Sequence, residues 1–115
     1  MKAKGSMNPT TSFRELREAG ACQPRYRHLA RKLGGIKNYG EDTPITSRQI
    51  LEANGPEDVD WAWRYHPSFK PMALDYRVKC RPIWRECECG RISYGELDAS
   101  ILALITTIIE EWDAK

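Results

Sequence analysis

Apolar residues recur along this chain at helical spacing. Tyr26, Leu29, Ala30 and Leu33 stand at i, i+3, i+4 and i+7, the stripe that one face of a helix presents to a core. A longer stripe joins Leu97, Ile101, Leu104, Ile105, Ile108 and Trp112, and Leu102 and Ile109 widen it beyond half the helix circumference. Tyr76, Cys80, Ile83, Trp84 and Cys87 also fall on one face. Pro82 interrupts that stretch, because proline lacks the N–H that the helix ladder needs; a break or kink is expected at Arg81. No segment alternates apolar and polar positions for long, so the pattern calls for no strands.

Local punctuation agrees with the periodicity. Ser12-Phe13-Arg14-Glu15, Thr46-Ser47-Arg48-Gln49 and Ser93-Tyr94-Gly95-Glu96 each fit a capping box, in which hydroxyl and carboxylate or amide satisfy orphan backbone N–H groups. Gly55-Pro56 marks a further start, and Glu57 and Asp58 follow at the positive end of the new helix dipole. Gly34-Gly35, Gly55 and Gly90 read as stops for segments begun near Pro24, Thr46 and Pro82, and Gly34–Pro44 reads as a loop. The expected fold is all-α: a compact bundle of about six short to medium helices in a single domain. Residues 1–11 are expected to be a flexible N-terminal segment and residues 12–113 the helical domain. Gly5-Ser6-Met7 reads as a tag remnant, with the natural start at Met7.

The stretch from Ile50 to Tyr65 has the outline of a helix-turn-helix. A DNA reader inserts the N-terminal end of its second helix into the major groove. Here that end carries Glu57, Asp58 and Asp60, which phosphate would repel. The charge rules out the reader and leaves a packed pair, with Ile50, Leu51 and Ala53 facing Val59, Ala62 and Trp63. Trp61 and Tyr65 form a second aromatic edge, expected to be covered as core.

Composition narrows the class. With 115 residues, 41% of them hydrophobic, the chain is long enough to bury a core without disulfides or metal. No run approaches the roughly eighteen apolar residues of a membrane span, and the N-terminus lacks a signal-peptide pattern. The expected compartment is a cytosol, where the four cysteines stay reduced. The net charge is only +2, yet it is distributed unevenly. Basic and acidic residues number nine against two in residues 1–40, one against six in 41–60, seven against three in 61–95, and one against five in 96–115. Such a mosaic suits docking on charged partners.

Candidate chemistry is sparse. Cys80, Cys87 and Cys89 hint at a metal site, but one heptad separates the first two on an apolar helical face, where cysteine packs as a small hydrophobe. No metal or other cofactor is expected. His28 is expected on an exposed helix face, and His66 precedes Pro67 at a helix exit. No phosphate loop, metalloprotease motif or activated nucleophile is present, so no enzyme is expected and no catalytic residue is assigned. Two basic stretches remain. The candidate partner-binding residues are Arg25, Arg27, His28, Arg31 and Lys32 in the first, and Arg81 and Arg85 in the second.

Between Phe13 and Arg64 the residues resemble small uncharacterised helical proteins encoded by bacteriophages and prophages. The resemblance rests on Leu16-Arg17-Glu18-Ala19-x-Ala21-Cys22, on Ile50-Leu51-Glu52-x-Asn54-Gly55, and on Asp60-Trp61-x-Trp63-Arg64. It covers about half the chain, and the strongly apolar tail after Ser100 departs from it. That family has no assigned activity, so the resemblance implies a mobile-element origin and no catalytic residues. The expected function is to bind and block a host protein or ribonucleoprotein complex, as an anti-CRISPR or other anti-defence inhibitor. Nucleic-acid binding through the basic helix over residues 24–33 is the alternative. A homodimer through the broad apolar face of the C-terminal helix is a further expectation.

Overall fold

A computed structural model describes residues 8–21 and 23–114. It is all-α apart from one small strand pair, and forms one globule. Residues 1–7, with the proposed tag remnant, and Cys22 lie outside the described residues.

The helices are α1 (Phe13–Glu18), α2 (Gln23–Lys32), α3 (Ile36–Tyr39), α4 (Ser47–Asn54), α5 (Pro56–Tyr65), α6 (Lys70–Glu88) and α7 (Tyr94–Asp113). A single 3-10 turn, Pro67–Phe69, joins α5 to α6. Two of the expected capping boxes form completely: Thr46 with Gln49 opens α4, and Ser93 with Glu96 opens α7. The third forms by half. The Ser12 hydroxyl accepts from the Glu15 N–H, but the Glu15 carboxylate turns away to the hydroxyls of Thr11 and Ser68. Gly55, at φ 94°, ends α4 and starts α5, a backbone shape that strains any residue with a Cβ.

Four expectations need correction. Strands do occur: β1 (Thr10–Thr11) pairs antiparallel with β2 (Ile45–Thr46). Two residues per strand are too few to show alternation. Because Thr11 and Ser12 are buried, the folded domain begins before residue 12, and the end of the expected flexible segment belongs to it. The loop after Gly35 contains α3, held by the Asn38 amide on the Gly34 carbonyl. Finally, α6 begins at Lys70 and continues unbroken through Pro82. The ring lies on the outer side, as does the turn around the widely exposed Val78, whose carbonyl the proline leaves unpaired; solvent can satisfy it there.

The core lies where α4, α5, α6 and α7 meet. Trp63, 1% exposed, is its largest side chain. Its indole N–H donates to the Ser47 hydroxyl at 2.9 Å, and its ring stands edge-on to Tyr76 at 5.3 Å. Val59, Phe69, Met72, Ile105 and Ile108 complete this centre, and Ile50 and Ala62 belong to the same cluster. Phe13 anchors the other end between the edges of Tyr26 and Tyr39. The broad apolar face of α7 is accounted for by three neighbours, α4, α5 and α6. Of the large apolar side chains left exposed, α7 contributes only Tyr94, so its girth gives no reason for a homodimer.

Candidate docking surface

The basic residues of α2 separate into two sets. The Arg25 guanidinium lies 2.6 Å from Asp58 on α5, and the Asn54 amide donates to both the Arg25 carbonyl and the Asp58 carboxylate. His28, expected in solvent, is half-buried, and its Nδ1 lies 2.8 Å from Asn54 Oδ1. That oxygen can only accept, so Nδ1 carries the proton. Arg25 and His28 therefore clip α2 onto the α4–α5 junction. Arg27, Arg31 and Lys32 remain exposed, without an ion pair to any described residue and with no large apolar side chain of α2 exposed beside them.

The outer side of α6 is different. Lys70, Arg77, Arg81 and Arg85 are exposed there, and none is ion-paired with a described residue. Elsewhere the arginines are largely committed: Arg14 to Asp42, Arg17 to Glu41, Arg48 to Asp113, Arg64 to Asp60 and Arg91 to Glu86. Among the free cations of α6 stand Leu74 (48% exposed), Val78 (60%) and Trp84 (49%), with Tyr65 (61%) opposite them on α5. An open groove of about 650 Å³ runs between α5 and α6, lined by Tyr65, Tyr76, Arg77, Arg81, Trp84 and Arg85, with Trp63 and Cys80 at its floor.

The sequence pattern had placed Trp84 with Tyr76 and Cys80, and had covered Tyr65. Both are exposed instead. Trp84 stands one residue past the inward line of Met72, Tyr76, Cys80 and Ile83, which turns it toward the rim. The signal for this surface lay in Leu74 and Val78, but the expected break at Arg81 hid the continuity of the helix that carries them.

The titratable groups inside the fold are structural. Burial raises the Tyr76 hydroxyl well above its ordinary range, and nearby Asp60 adds to the effect. Burial likewise pushes the Cys80 thiol up, as expected of a packed thiol. His66 is the residue that sequence reasoning undervalued. It is buried, its Nδ1 accepts from the Ser68 N–H, and its Nε2 lies 2.8 Å from the Thr11 hydroxyl. Burial lowers its pKa, against the opposing pull of the Glu15 carboxylate at 3.4 Å. Both histidines thus serve as internal links. Among the described residues no three His, Cys, Asp or Glu side chains gather as a metal cage, and no helix is long and apolar enough to cross a membrane. A second cavity, about 310 Å³ between α2 and α5, is lined by Leu16, Tyr26, Leu29 and Trp61, and its rim groups Arg25, Asn54 and Asp58 satisfy one another.

No family model, curated protein or solved structure matches this chain.

Proposed function

We propose that the protein is a non-enzymatic binding module that occupies a surface of a larger protein or ribonucleoprotein complex, with the outer side of α6 as its docking face. One observation carries this reading: four unpaired cations interleave with exposed Leu74, Val78 and Trp84, while most other arginines are committed to carboxylates. Apolar side chains among free charges are what an interface buries and a solvated helix lacks. The resemblance to small phage proteins supports the sharper version, in which the blocked complex belongs to a bacterial defence system in the host cytoplasm. Nucleic-acid binding through α2 is the weaker reading, because Asp58 engages Arg25 and Asn54 engages His28, which leaves three free cations with no exposed aromatic side chain of α2 beside them.

The test is co-purification from host lysate with the affinity-tagged chain. The partner should survive moderate salt and be lost with Arg81→Glu combined with Arg85→Glu. Recovery of nucleic acid alone, falling steeply as salt rises, would favour the α2 reading instead. An undiminished partner with the double variant would sink the assignment of the face.

A further inference from the structure

We infer that the outer face of α6 is a track for an amphipathic helix whose flanks carry carboxylates, supplied by the partner. The inference rests on the docking reading above and adds the chemistry of the occupant.

Leu74, Val78, Arg81 and Arg85 stand at i, i+4, i+7 and i+11, so they line one face of α6 over roughly 17 Å. Rows at this spacing are the ridges by which one helix settles against another. Leu74 and Val78 supply an apolar first half, and Arg81 and Arg85 a basic second half. Trp84 and Tyr65 stand at the side, where the 650 Å³ groove has room for large side chains of an occupant.

Three alternatives fit less well. A nucleic acid uses cations for phosphate and flat rings for bases; it gains nothing from two exposed aliphatic residues. An extended peptide draws its affinity from the unpaired edge of a sheet, and a helix surface has none. A second copy meeting across a two-fold axis would bring the same face, arginines included, against itself, so like charges would oppose. Charge complementarity selects the remaining occupant. Of the carboxylates near this face, Asp60 is engaged with Arg64 and Asp75 with Lys79, whereas Glu88 at its far end and Glu57 and Asp98 beyond Trp84 make no ion pair with a described residue. Along the outer side of α6 the unpaired Lys70, Arg77, Arg81 and Arg85 stand against the single free acid Glu88, so the face keeps a net positive charge.

The experiment uses the full chain and three fluorescent probes in anisotropy titrations. The first is a synthetic helix of about 18 residues, or about five turns, with a leucine stripe flanked by glutamates. The second carries lysines in place of the glutamates, and the third is a single-stranded oligothymidylate. The glutamate helix should bind most tightly. Leu74→Asp with Val78→Asp should weaken it by roughly tenfold or more. Arg81→Glu with Arg85→Glu should abolish that preference and transfer it to the lysine helix. Circular dichroism should be unchanged in both, since all four side chains point outward. Tighter binding of the oligonucleotide, equal binding of the two helices, or indifference to either pair of substitutions overturns the inference. So does a chain of twice the monomer mass that reverts to monomer with Leu74→Asp and Val78→Asp. If the helices fail but Arg81→Glu with Arg85→Glu still loses the co-purified partner, the helical occupant is wrong and the docking face stands. If co-purification is unaffected as well, both fall.

Discussion

Trp63 offers the most direct measure of how this fold is held. Its side chain is almost completely removed from solvent, donates one hydrogen bond to Ser47, and packs edge-on against Tyr76. Trp63→Ala removes the buried rings and leaves a cavity, which costs about 3–5 kcal/mol. The Ser47 hydroxyl also loses its donor, although it keeps Met72 Sδ at 3.4 Å as a weak acceptor. Domains of this size are held by about 5–15 kcal/mol, so the alanine variant should unfold at far lower urea. Trp63→Phe keeps most of the apolar volume and loses the N–H, so about 1–3 kcal/mol is expected. Urea unfolding followed by far-UV circular dichroism reads both, since the signal does not depend on the indole. A cycle with Ser47→Ala isolates the hydrogen bond, with a coupling of about 1 kcal/mol. An alanine variant within about 1 kcal/mol of the parent would refute the central placement of the indole, and zero coupling would remove the hydrogen bond from the account.

Other outcomes follow from the same geometry. Lowering pH below His66's ordinary value near 6.5 should destabilise the fold, because the unfolded imidazole takes up the proton first while the folded one resists it. His66→Asn, which keeps an acceptor for the Ser68 N–H, should flatten the melting temperature between about pH 7 and 5; an unchanged slope would locate that dependence elsewhere. Ser93→Ala removes the acceptor for the Glu96 N–H and should cost about 1 kcal/mol in urea unfolding, with a neutral result showing that α7 needs no cap. Arg27→Glu with Arg31→Glu should leave stability within about 0.5 kcal/mol, since both side chains are exposed and unpaired. In the co-purification assay this pair should weaken capture less than Arg81→Glu with Arg85→Glu does; the reverse order would move the docking face to α2.

Short-range chemistry is legible along the chain, and it located most of the helices. The boxes at Thr46 and Ser93 and the Gly55-Pro56 junction depend on atoms three or four residues apart, so a reader of the residues alone finds them. The stripe of α7 likewise announces a buried face, since eight apolar residues at that spacing have only one low-energy disposition in water. The proposed docking surface was partly legible: the sequence pointed to Arg81 and Arg85 as candidate contact residues, whereas exposed Leu74 and Val78 and the outward turn of Trp84 were not foreseen.

What stayed hidden depends on groups brought from far along the chain. His28 turns inward because Asn54 waits 26 residues away. Thr11 becomes a buried strand residue because Ile45 pairs with it and His66 reaches its hydroxyl. Pro82 remains within α6 because packing holds the helix on both sides of it while the Val78 carbonyl that it leaves unpaired faces water. Periodicity states that an apolar face exists; only the positions of the neighbouring helices set which apolar residues they cover and which they leave outside.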